Sequence, residues 1–188
     1  MTINTHHQMS LATIKDYDNW YIVQTLTKRE HHMKNMINNI FNNYFDILIP
    51  SKEFLHTKNG IFKKVICPLF PGYLFLYNEI NTFIKELDSI KRYHYLKPVC
   101  FNNKPAKIRP EEMEYLQTIT NEQGIVPLSH GIFHEGDTVK ILEGPLKDCE
   151  GKIIFINKKK HKAKVHIKLF NHEINIVLGL NLFKQQAQ

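Results

Sequence analysis

The chain has 188 residues, 43% of them hydrophobic and 23% charged, which fits one medium domain or a domain with a small companion and excludes a disordered chain. A formal net charge of +7 favours an anionic partner, nucleic acid ahead of a membrane. Three widely spaced cysteines (Cys67, Cys100, Cys149) with no CxxC pair argue against a disulfide framework or structural zinc and for a cytoplasmic setting, and no apolar run reaches the ~18 residues that span a bilayer.

Residues 1–18, MTINTHHQMSLATIKDYD, have no apolar signal core and are expected to be a loose leader. NWYIVQTL (19–26) is aromatic and β-branched and predicts a strand. In the following segment Met33, Met36, Ile37, Ile40, Phe41 and Tyr44 recur at the spacing of one helical face. FDILIP (45–50) predicts a second strand, Asn59-Gly60 a turn, and IFKKVI (61–66) the next strand. CPLFPGYLFLY (67–77) is the most apolar stretch. Its prolines and glycine predict a corner, Phe70-Pro71-Gly72-Tyr73, that feeds a strand over Tyr73–Tyr77. That corner either packs into a core or offers aromatic surface to a partner.

A short helix capped at Asn81 or Thr82 should bury Phe83, Ile84, Leu87 and Ile90. A weak strand is expected near 92–99. Pro110 followed by Glu111 and Glu112 predicts a third helix with Met113, Leu116 and Ile119 inward. Residues 19–120 thus read as an α+β unit, and 121–131, rich in Gly, Pro and Ser, as a linker. Residues 132–188 carry strands only: TVKIL, KIIFI, AKVHIKL, EINIVL and a short LNLF. Five short strands predict a small closed barrel.

In AKVHIKL, alternation places Ala163, Val165, Ile167 and Leu169 on one face and Lys162, Lys164, His166 and Lys168 on the other. The second face continues into Lys158, Lys159 and Lys160 at the hairpin tip. Between Glu150 and Glu173 there are seven lysines and no acid. This is either a solvated strand face or a stripe whose single-sign field suits phosphate. His166, Asn157, Arg92 and Tyr93 are the candidates for any sequence preference, and Arg92 joins the lysines as a nucleic-acid contact.

The stretch Gly136-Asp137-x-Val139-x-Ile141-x-x-Gly144-Pro145-Leu146, closed by Gly151 and Ile153, resembles the KOW motif. Trp20 to Val23, Glu30, Pro50 and Pro68-Leu69-Phe70-Pro71-Gly72-Tyr73 are similar to the N-terminal domain of NusG-type transcription factors. Together they cover residues 19 to about 184. The resemblance implies an N-terminal domain (19–120) that docks on the clamp helices of RNA polymerase, with Phe70, Pro71, Gly72 and Tyr73 in the contact. It further implies nascent RNA as a partner ahead of DNA, with the ribosome as another candidate, and a monomeric bacterial factor. Phe170-Asn171-His172 stands where general members carry Phe-Gly-Arg, and the hairpin is unusually lysine-rich. Pro127 to Gly131 and Gly144 to Lys147 lean toward the LoaP type of specialised antiterminator.

The residues leave two other readings open: a ribosome-associated KOW protein that binds RNA, and a general housekeeping member of the family. An enzyme is disfavoured. His31 and His32 are adjacent and point about 100° apart on a helix. No HExxH, GxSxG, P-loop or GxGxxG occurs, so no catalytic residue, metal or cofactor is expected.

Overall fold

The computed structural model describes residues 17–89, 95–133, 139–147, 149, 152–169 and 172–184. In chain order the elements are β1 (Trp20–Gln24), α1 (Glu30–Ile40), β2 (Asp46–Leu48), β3 (Ser51–Lys58), β4 (Ile61–Pro68), β5 (Tyr73–Tyr77) and α2 (Ile80–Ser89). Then come β6 (Lys97–Pro98), β7 (Cys100–Phe101), β8 (Lys104–Pro105) and α3 (Pro110–Ile119). The remainder is β9 (Ile125–Val126), β10 (Ser129–Phe133), β11 (Lys140–Glu143), β12 (Ile153–Asn157), β13 (Lys162–Leu169) and β14 (His172–Lys184). The architecture is α+β, as expected. It divides into two compact units, the first built on β1, α1, β2, β5 to β8 and most of α3, the second on β3, β4 and β9 to β14.

In the first unit an antiparallel sheet runs β2-β5-β1-β6, with Trp20 opposite Tyr77 and Gln24 opposite Tyr73. Val23, Leu74, Leu76 and Ile47 pack with Met33 and Ile37 of α1 and Phe83 of α2 in one apolar cluster. Alternation sends Trp20, Ile22 and Phe75 to the opposite face, where they too are buried. Helix α1 stops at Ile40, earlier than the apolar spacing suggested. Asn42 and Asn43 both adopt left-handed φ (51° and 58°), which Asn tolerates at a helix end, and Tyr44 is left exposed. Helix α2 starts at Ile80, one residue before Asn81 and two before Thr82, so both expected caps lie inside the helix; Ile90 lies outside the described residues. Helix α3 begins at Pro110 as read. The Arg109 N–H donates to Glu112 Oε2 at 3.0 Å, closing its first turn.

In the second unit β3 and β4 pair in full from Ser51↔Pro68 to Lys58↔Ile61, and β9 joins β3 in parallel. Strand β3 was legible only as the approach to a turn, because SKEFLHTK is polar and its strand character comes from pairing on both sides. A five-stranded sheet runs β11-β10-β14-β13-β12. Its five strands are not the five read from the pattern. EINIVL and LNLF form one continuous β14, and the additional member, β10, begins within 121–131, which also carries β9. Gly and Pro there end one pairing and start another. Gly179 admits the close approach of β3: a Cβ on it would lie 2.3 Å from the Glu53 carbonyl oxygen. Ala163, Val165, Ile167 and Leu169 are buried as alternation requires, with Ile176, Leu178, Leu180 and Leu182 of β14.

Candidate docking corner and nucleic-acid interface

Pro71, Gly72 and Tyr73 of the corner belong to the first unit and Phe70 to the second, and Gly72 is held by a side chain distant in sequence. Gly72 has φ +85° after Pro71, the residue order of a type II turn. Its N–H donates to Glu30 Oε1 at 2.6 Å, and its carbonyl accepts from the Thr25 N–H at 2.8 Å. Glu30 sits in the first turn of α1 and is buried, so its carboxylate is both favoured by the helix N-terminus and committed to the corner. A Cβ on Gly72 would stand 3.1 Å from Thr27 Oγ1. Tyr73, the first residue of β5, is 37% exposed, while Phe70 is 9% exposed. The two rings expected to act together therefore differ: Tyr73 is accessible and Phe70 is packed. Leu69, beside Phe70, is fixed by its N–H donating to the Pro50 carbonyl at 2.7 Å, and its own carbonyl accepts from Lys52 Nζ at 3.4 Å. Glu30 was visible in sequence only as a motif residue at a helix head. Nothing local tells that it reaches across 42 positions to Gly72.

In the second unit the basic face is more structured than a bare lysine stripe. Lys158, Lys159 and Lys160 are exposed on the turn between β12 and β13. Asn157 Oδ1 accepts from the Lys160 N–H at 2.9 Å, and His161 takes φ +52° to complete the turn. Lys158 lies over the Phe133 ring at 4.9 Å and Lys162 over the Phe54 ring at 4.3 Å. His161 meets the Phe62 ring edge-to-face at 4.6 Å. Lys164 is half-buried, and His166 and Lys168 are exposed, on the outward side of β13. There the cross-strand register brings in an acid that the linear reading placed at the end of the run. Glu173 sits opposite Lys168, and its Oε2 lies 2.9 Å from His166 Nε2, whose Nδ1 is 3.0 Å from Asn175 Oδ1. The positive field is therefore concentrated at the turn rather than along the strand.

Lys52 adds to that end. Its Nζ lies 5.1 Å from the Phe54 ring that Lys162 also covers. Burial lowers its pKa from the ordinary lysine value; Cys67 pushes back, and the neighbouring Lys162 cation lowers it further.

The KOW-like residues form a buttress. Gly144 takes φ +90°, and a Cβ there would lie 2.7 Å from Ser129 Cα. Ser129 Oγ accepts from the Leu146 N–H at 2.9 Å, Pro145 and Leu146 are buried, and Val139 is half-buried. Gly136, Asp137, Gly151, Arg92 and Tyr93 lie outside the described residues. Among the described residues no group of three His, Cys, Asp or Glu side chains is arranged to hold a metal ion. No helix there is long and apolar enough to cross a membrane.

Comparison with known proteins matches residues 18–117 to the family model "NusG: Transcription termination factor nusG". The chain belongs to the NusG family. The match runs from before β1 through most of α3 and includes Glu30 and the Phe70–Tyr73 corner. NusG-family relatives extend the likeness into the C-terminal strands. The transcription termination/antitermination protein NusG of Thermus thermophilus is 27% identical over 180 residues, 86% of this chain and 95% of that protein. The protein of the same name from Pseudomonas aeruginosa is 25% identical over 167 residues, 85% of this chain and 93% of its own. A solved structure described as "Domain interaction in Thermotoga maritima NusG" aligns over 86% of this chain and 93% of that one, at 23% identity and a TM-score of 0.46. This chain is thus a NusG-like transcription factor.

Proposed function

We propose that this NusG-family protein is a specialised antitermination factor of the LoaP type. It docks on the clamp helices of RNA polymerase through the corner of its N-terminal domain (19–120), and contacts nascent RNA, in preference to DNA, with the basic surface of residues 132–188. It promotes read-through of terminators in a particular operon. The observation that carries this reading is the corner: Glu30 clamps Gly72 and leaves Tyr73 accessible at the start of β5. A rigid aromatic anchor of this kind binds at low entropy cost. Phe70 is the second docking ring of this reading, and Pro71 and Gly72 set the direction of the corner.

On the nucleic-acid side, Lys158, Lys159, Lys160, Lys162, Lys164 and Lys168 hold phosphates by charge. A phosphate contact positions the chain and specifies little. Each phosphate neutralised contributes a log–log salt slope of roughly −0.7 to −0.9.

The deciding experiment is transcription in vitro across an intrinsic terminator, with and without a candidate upstream leader RNA. Read-through that depends on both protein and leader supports the reading; equal termination in all four combinations refutes it. Changing Lys159, Lys162 and Lys164 together to Gln should flatten the salt slope of RNA binding by about two to three. An unchanged slope and unchanged read-through would remove the lysine face from the mechanism and leave polymerase docking intact.

A further inference from the structure

The hairpin β3–β4 belongs to the second unit and is itself cationic: Lys52, Lys58, Lys63 and Lys64 stand against the single acid Glu53. That acid is occupied, with Lys64 Nζ 3.0 Å from its Oε2, which also accepts from the Leu128 N–H. The hairpin meets the lysine turn through two aromatic contacts already described, Phe54 with Lys162 and Phe62 with His161. On the other flank of the turn Lys158 covers Phe133. Cations and rings therefore interleave around residues 158–162, drawn from strands that lie far apart in sequence. Phe62 is 50% exposed at a position where an ordinary solvated hairpin tip would be polar.

We propose that the surface shared by the β3–β4 hairpin and the Lys158–His161 turn binds single-stranded nucleic acid, with Phe62 stacking on one unpaired base and Lys158 to Lys160 holding the neighbouring phosphates. This rests on the nucleic-acid reading above and narrows it. Lysines alone do not discriminate against a duplex, whose charge density is the higher. A ring does discriminate, because the faces of paired bases are already stacked, whereas an unpaired base presents its face to an aromatic side chain.

The test is fluorescence anisotropy of the full chain with labelled oligo-uridine RNA, oligo-thymidine DNA and a DNA duplex, each of roughly twelve nucleotides or base pairs. Phe62→Leu keeps an apolar side chain and removes the flat face. It should weaken single-strand binding about tenfold, leave the duplex unaffected and leave the salt slope unchanged. Phe62→Tyr should bind as the parent does. Thermal midpoints equal to the parent's separate loss of stacking from loss of fold. A tighter RNA arm assigns the strand to the transcript and a tighter DNA arm to a displaced DNA strand; either sustains the proposal. Phe62→Leu binding single strands as the parent does, or losing duplex and single strand equally, overturns it. If the parent binds no polynucleotide even at low salt, the broader nucleic-acid reading falls as well.

Discussion

Gly72→Ala tests the corner most directly. Its φ of +85° is left-handed, where a Cβ costs about 1–2 kcal/mol. The new Cβ would also stand 3.1 Å from Thr27 Oγ1 and 3.4 Å from the Thr25 carbonyl oxygen, closer than they comfortably allow. A shift that relieves the crowding lengthens the 2.6 Å bond from the Gly72 N–H to buried Glu30. Leaving that pair unsatisfied adds about 1–3 kcal/mol. The expected total is about 2–5 kcal/mol. The assay is urea denaturation followed by tryptophan fluorescence. Trp20 is the only tryptophan, is fully buried, and lies on the strand paired with β5, so it reports the unit that holds Gly72. The midpoint should fall with little change in slope. Gly60→Ala is the control, followed by far-UV circular dichroism. Its φ of +76° is also left-handed but a Cβ there meets nothing within 4 Å, so it carries the backbone cost alone. A Gly72→Ala loss below about 0.5 kcal/mol, or one no larger than that of Gly60→Ala, would show that the Glu30 clamp contributes nothing.

Tyr73→Ala should leave the folded chain intact and weaken polymerase binding by on the order of 1–3 kcal/mol in a pull-down titration; unchanged affinity would dismiss it as an anchor. Phe70→Ala should instead destabilise by about 3–5 kcal/mol, as for other packed aromatic rings, and its affinity per folded molecule decides whether the ring also reaches the partner. Gly179→Ala should disrupt the seat of β3 by more than about 2 kcal/mol, because the opposing atom at 2.3 Å is backbone, and hydrogen exchange across β3 and β14 would report it. Lys52→Met should stabilise by about 1 kcal/mol at neutral pH. The lowered Lys52 pKa means that the parent gains stability as pH rises through the folded value toward the unfolded lysine value, so the variant's advantage should shrink over that window. A denaturation series in which the advantage grows with pH would contradict the assignment.

Local pattern was enough for much of this protein. Period-2 alternation in AKVHIKL told which side chains of β13 are inside, since a strand next to a core leaves no freedom about facing. Pro110 with two following glutamates marked the start of α3, because helix initiation is a local matter of φ and unpaired N–H groups. The Pro-Gly corner and the turn at Asn59-Gly60 were equally legible, since both are backbone conformations that few residues adopt. Tertiary structure decided what depends on partners distant in the chain. Polar SKEFLHTK became a strand because β4 and β9 supply its hydrogen bonds, and 125–133 became strands because β3, β11 and β14 supply theirs. It chose between the two rings of the corner, packing Phe70 and leaving Tyr73 accessible, and it recruited Glu30 as the clamp. It set Glu173 beside His166 and gathered Phe54, Phe62 and Phe133 around the lysine turn. Alternation says which way a side chain points; only the register and packing of other segments say what it meets there.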